Sequence, residues 1–166
     1  MASAKDVLLI GILIFTFGIG FFIIYFISTT VTAQIIAIPT INDSSAAVAV
    51  FQAQSNVTSK LDYMIFGLFI GLVLGMMISG YYVGGNPLFM AIYFLVVIIS
   101  IAAGAVMSNV WETTTQASVF GSTVSAFPIT NNLMTYLPMY LAVLGFLGMI
   151  VMFAKPYLAS QSGGTY

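Results

Sequence analysis

Apolar residues in this chain come in blocks rather than in alternation. Residues 7–27 read VLLIGILIFTFGIGFFIIYFI, 21 positions without a charge. At about 1.5 Å per residue a helix of that length covers roughly 30 Å, the hydrocarbon thickness of a bilayer. A signal peptide would carry an apolar core of about 7–15 residues ending in small side chains. This block is longer and ends on Phe21, Phe22, Tyr25 and Phe26, so a retained helix is expected. Comparable blocks at 63–82, 88–110 and 133–154 complete about four spans. They predict an all-α polytopic membrane protein, one transmembrane domain over residues 1–166.

The segments between the blocks refine that picture. Residues 28–41, STTVTAQIIAIPTI, are uncharged and include Pro39. They read either as an extended stretch at the interface or as a continuation of the first helix to about residue 38. Asn42, Asp43 and Ser44 then offer N-cap chemistry. Ala47, Val50, Phe51, Val57 and Leu61 fall near one helical face, and no Gly or Pro separates them from the second block. One long helix over 44–82 is therefore predicted, about 58 Å in length, with an extramembrane helix at 44–62. Val83-Gly84-Gly85-Asn86-Pro87 has the composition of a tight reversal, which would make the second and third spans a hairpin. Trp111, flanked by Asn109 and Glu112, is placed as an interface anchor at the exit of the third span. Residues 113–132 form a hydroxyl-rich loop, structured or ordered by a partner. Asn131 or Asn132 is expected to cap the fourth span, Lys155-Pro156 to end it, and 157–166 to form a mobile tail.

Composition excludes whole classes of chemistry. Hydrophobic residues make up 61% of the 166 and charged residues 4%, against about 25% charged in soluble domains. Mean hydropathy is +1.13, more apolar surface than a soluble fold of this size can bury. Cysteine and histidine are absent, which removes disulfides, thiol nucleophiles, imidazole chemistry and the usual zinc and haem ligands. There is no arginine, and Lys5, Lys60 and Lys155 are too scattered to bind nucleic acid. The acidic groups Asp6, Asp43, Asp62 and Glu112 lie at or beyond helix ends, where solvation is the expected role. No charge falls inside a span and no helix broken at mid-membrane is evident, unlike pumps and ion-coupled transporters. We therefore expect no enzyme, no cofactor, and neither catalytic nor metal residues.

Topology follows from the few charges. Four spans put both termini on one side, and Lys5 with Lys155 makes that side interior or cytoplasmic. Asn42-Asp43-Ser44 and Asn56-Val57-Thr58 match the glycosylation triplet on the opposite side, a pattern that arises readily by chance in a Ser/Thr-rich chain.

One pattern rises above composition. Gly67, Gly71 and Gly75 recur every fourth residue and Ser79 continues the series, laying small side chains along one face of the second span. The third span carries Ser100, Gly104 and Ser108. Such strips let helix backbones approach closely, either within the chain or between copies. The ten methionines read as filling rather than as soft-metal ligands. Most tyrosines sit near span ends as an interfacial belt, while Tyr93 and Tyr140 lie deeper, placed for hydrogen bonds between helices.

The stretches LDYMIFGLFIGLVLGMMISGYYVGGNPLFMAIYFLVVIISIAAGAVMSNVWE and FPITNNLMTYLPMYLAVLGFLGMIVMFAK resemble small multi-span membrane proteins of tailless icosahedral viruses with an internal membrane. The resemblance covers about half the chain, rests on hydropathy-dominated patterns, and implies a virion membrane protein packed under a capsid shell. The function expected is thus non-enzymatic membrane structure and assembly, as a homo-oligomer or in a hetero-complex with membrane or capsid proteins. The alternatives are an accessory subunit of a cellular respiratory or secretion complex and a holin-like, channel-forming oligomer. The lack of a polar helix face counts against the last.

Overall fold

In a computed structural model the backbone is described for residues 2–83 and 87–162, with side chains described for 5–81 and 91–152. Every regular element among them is helical. Helix α1 (Ala2–Ile36) contains the first apolar block and continues beyond it. Of the two readings of residues 28–41, continuation of the helix is the one observed. A short α2 (Pro39–Asn42) turns the chain, and Ser44 caps α3 (Ser45–Thr58), its hydroxyl accepting from the Ala47 amide at 3.4 Å.

The expected long helix over 44–82 is divided at Ser59–Lys60 into α3 and α4 (Leu61–Val83). Hydroxyl competition explains the break. Thr58 donates to the Gln54 and Ser55 carbonyls and Ser59 to that of Asn56, at 2.8–3.2 Å. The ladder resumes at once, Met64 N–H donating to Lys60, so Ser45–Tyr81 still forms one apolar run of 37 residues.

Helix α5 (Pro87–Thr115) follows. The expected reversal falls on Gly84, Gly85 and Asn86, which lie outside the described residues. The expected polar loop at 113–132 is largely helical instead: a 3₁₀ turn at Ser118–Phe120, α6 (Gly121–Ser125) and α7 (Pro128–Thr135), before α8 (Leu137–Ser162). The fourth span is therefore not one helix from 133. It is broken at Tyr136, with α7 and α8 inclined at 72°. Pro138 supplies the cause: its ring excludes the carbonyl four residues back and disfavours helix geometry in the residue before it. Pro156 does not end α8, which continues to Ser162. The part of the expected tail up to 162 is thus helical, and 163–166 lie outside the described residues.

Among the described residues three helices are long and apolar enough to cross a membrane, and four if the bent pair α7–α8 counts as one. Around the bundle the order is α1, α4, α8, α5, each helix packed on its two neighbours. The expected hairpin of second and third spans is not formed: among the described residues α4 and α5 scarcely touch, because α1 and α8 lie between them. Helix α1 meets α8 where Leu141 contacts Gly11 and meets α7 where Met134 contacts Gly18, while α8 runs antiparallel to α5, Gly145 meeting Val97 and Gly148 meeting Tyr93.

The inward stripe of α1 is Val7, Ile10, Gly11, Ile14, Gly18 and Phe22; that of α5 is Tyr93, Val97, Ser100, Gly104, Ser108 and Trp111. Steps of three and four keep each stripe on one face. Beyond the bundle, α3 lies back along α1 as a thin two-helix projection. No residue of α3 is buried, and Gln54 donates to the Ser28 hydroxyl at 3.1 Å.

Candidate functional site

At the end of the bundle nearest this projection, polar side chains converge that the apolar blocks gave no reason to connect. Asp62, in the first turn of α4, is only 3% exposed. Its Oδ1 accepts from the Thr130 amide and the Thr130 hydroxyl, each at 2.7 Å, and its Oδ2 from the Ile129 amide at 3.0 Å. Helix α7 needs this help. Its N-cap position is Phe127, which has no capping side chain, and Pro128 occupies the first turn. The orphan amides that every helix N-terminus presents are met by a carboxylate 67 residues away in sequence. That carboxylate also lies favourably at the positive end of the α7 dipole. The expectation that all four acidic groups are solvated fails for Asp62.

Three further hydrogen bonds fix the same region. The Ser108 hydroxyl donates to the Thr135 carbonyl at 2.7 Å, satisfying a group beside the break between α7 and α8. Trp111 Nε1 donates to Asn131 Oδ1 at 2.9 Å, and the Tyr140 hydroxyl to Asn132 Oδ1 at 2.8 Å. Asn131 and Asn132 therefore tie α7 to α5 and α8 rather than cap the fourth span, as expected of one or the other. Around Trp111 the aromatic rings meet edge to face: Phe22 with Trp111 at 5.1 Å, Tyr25 with Phe127 at 5.1 Å, and Phe26 with Phe120 at 4.9 Å. Such pairs contribute about 0.5–1.5 kcal/mol each beyond area burial. Among the described residues no buried side-chain polar atom lacks a partner.

The structure separates the small-residue positions into two groups. Ser100, Gly104 and Ser108 face inward on α5. The Ser100 hydroxyl donates to the Val96 carbonyl at 2.8 Å, and a Cβ on Gly104 would lie 2.7 Å from Leu141 Cδ1 and 3.4 Å from Pro138 Cα. Gly67, Gly71 and Gly75 face outward, with nothing within 4 Å of where a Cβ would be. Gly71, Gly75 and Ser79 border a shallow groove shared with Asp6, Leu9 and Ile10 of α1. The two strips therefore do not face each other. Trp111 is not an interface anchor: it is fully buried, because α7 and Phe22 cover the place where the sequence suggested a free helix end. Exposed aromatics at that end are Tyr63, with Lys60 Nζ 5.8 Å from its ring centre, and Tyr136. The deeper tyrosines do bond between helices, Tyr93 to the Gly145 carbonyl at 3.2 Å and Tyr140 to Asn132.

Sequence reasoning missed Asp62 and the inward glycines Gly11, Gly18, Gly145 and Gly148. The glycines had a signal in their helical spacing. For Asp62 the only hint was a proline-started helix with no capping residue before it. No family model, no curated protein and no solved structure matches the chain.

Proposed function

We propose that this chain is a non-enzymatic integral membrane protein whose work is structural, assembling laterally with copies of itself or with other membrane or shell proteins. The observation that carries the reading is the outward face of α4. Gly67, Gly71 and Gly75 leave a strip of small positions where, among the described residues, nothing lies within 4 Å of an added Cβ, a surface suited to close backbone approach by another helix. The internal polar groups support it from the other side. A helix N-terminus left free in a broken span is a device for substrate binding, and here Asp62 occupies that of α7. The resemblance to virion membrane proteins adds a setting: spans in an internal membrane, Lys5 and Lys155 on the interior side, and the α1–α3 projection directed at a shell.

The test is native mass spectrometry of the complex extracted from its own membrane in mild detergent, after carbonate washing. Retention in the washed membrane and release as a multimer or stoichiometric complex are expected. Release by carbonate, or an isolated monomer under all detergent conditions, would overturn the reading.

A further inference from the structure

A groove of about 320 Å³ interrupts the bundle surface between α4, α7 and α8, near the small end for ligand sites. The edge-to-face pair Phe69–Tyr140, with ring centres 5.8 Å apart, forms one side of it. Phe66 and Leu133 add apolar wall, and Pro128 and Ile129 of the inclined α7 line it as well. One side-chain amide stands at this apolar lining, that of the exposed Asn132. Its Oδ1 is already taken by the Tyr140 hydroxyl, while its amide nitrogen donates to nothing among the described residues. The groove thus offers hydrocarbon contact along its length and two hydrogen-bond donors at one point.

That pattern matches an ester carbonyl at the head of an acyl chain. Tyr63, one turn before Phe66, and Tyr136, one turn before Tyr140, are exposed, and tyrosine favours the headgroup level. Asn132 would then stand near the ester level with the apolar walls below it. A helix, about 10 Å across with its side chains, needs a wider bed. We propose that this groove holds one acyl chain of a glycerophospholipid, with the Asn132 amide donating to its ester carbonyl. The proposal rests on the membrane reading above.

The full chain is reconstituted in phosphatidylcholine vesicles containing a phosphatidylcholine with a photoreactive diazirine in one acyl chain. After irradiation, labelled peptides are mapped by mass spectrometry. In the wild type, labelling at Phe66 and at residues 129–133 exceeds that on the outer face of α5 at Ile92, Leu95 and Ile99. Asn132→Asp keeps an acceptor for Tyr140 but removes both amide donors; it lowers groove labelling by about three- to tenfold, the worth of one hydrogen bond. Phe66→Ala, which removes an exposed wall, lowers it too and keeps the test decisive if Asn132→Asp fails to fold. Val106→Ala, at an exposed position of α5 outside the groove, leaves it unchanged. Even labelling of groove and α5 face, undiminished labelling in both groove variants, or groove crosslinks to a second copy instead of lipid would overturn the proposal. A chain that carbonate strips from the vesicles refutes the membrane reading itself; one that stays embedded but is evenly labelled refutes only the lipid site.

Discussion

Helix α4 presents two faces of opposite character. On the inner face Asp62, Ile65, Phe69 and Met76 are all enclosed. On the outer face a Cβ at Gly67, Gly71 or Gly75 would meet nothing within 4 Å among the described residues. Both faces repeat at helical spacing, and from the letters alone the glycine face is the more conspicuous. Yet the bundle is held by the other one. A periodic glycine strip records where side chains are left out; only the neighbouring helices determine whether something of the same chain fills the space.

The largest loss of stability is expected on the inner face, at Asp62. Asp62→Ala leaves the fully buried Thr130 hydroxyl and the amides of Ile129 and Thr130 without their acceptor. We expect a loss of about 3 kcal/mol, since each buried unsatisfied group costs about 1–3 kcal/mol and α7 recovers part of that by fraying. Reversible unfolding in mixed micelles measures it. Asp62→Asn keeps one acceptor oxygen but turns an amide group toward a donor, so a smaller loss is expected. A neutral Asp62→Ala would mean that the clasp does not hold α7.

Inward glycines sharpen the contrast at the next level. A Cβ on Gly145 would collide with Val97 Cγ1, with Val97 Cγ2 at 2.9 Å and Val97 Cβ at 3.3 Å. Valine is branched next to its backbone and cannot swing clear. Gly145→Ala should therefore destabilise by about 1–3 kcal/mol, the usual range for overpacking. Gly18→Ala meets chiefly the terminal methyl of Met134, a flexible chain end, so its cost should be clearly smaller in the same assay. Equal effects at the two sites would show that the bundle relaxes more freely than its packing implies.

Trp111→Phe comes next. It keeps a ring against Phe22 but removes the Nε1 donor to Asn131. A loss of about 1 kcal/mol is expected, that of one hydrogen bond. Tryptophan fluorescence of the wild type gives a second check, because a buried indole should be shielded from aqueous quenchers where an interface anchor would not be.

The residues themselves explain what was legible in the sequence. The apolar blocks made the all-helical class and three to four long apolar helices legible, because uninterrupted hydrophobicity over about 20 residues has few other solutions. Ser44 was readable as an N-cap because capping is local chemistry. The pairing of helices was not readable. Adjacent spans are commonly neighbours, but α4 and α5 stand across the bundle from each other, and blocks that are apolar all round do not say which face turns inward. The clasp was hidden for a related reason: Asp62 finds its donors 67 and 68 residues away, and only the break before Pro138 tilts α7 into reach. Trp111 occupied a sequence position typical of an interface, yet residues that read as loop fold back as α7 and enclose it.

The smallest expected effect on the fold falls on the outer face, where it separates folding from assembly. At Gly71 a Cβ meets nothing, and the adjoining groove of about 340 Å³ leaves room for a longer side chain. Gly71→Leu should therefore leave the unfolding free energy of the isolated chain within about 0.5 kcal/mol of wild type, as for substitutions that touch no packed group. Gly67→Ala should behave the same way. Association is where the variants diverge: leucine at 71 holds an approaching backbone away, and a strip used for close packing loses the contacts that depend on a short interhelical distance. Cross-linking in vesicles at matched protein density should show Gly71→Leu shifted to monomer while Gly67→Ala keeps most of its multimer. If Gly71→Leu destabilises the monomer, then α4 turns this face inward in the membrane and the assignment of its two faces is reversed. If it changes neither stability nor association, the strip is simply a lipid-facing surface, and the assembly interface must be sought on the α1–α3 projection.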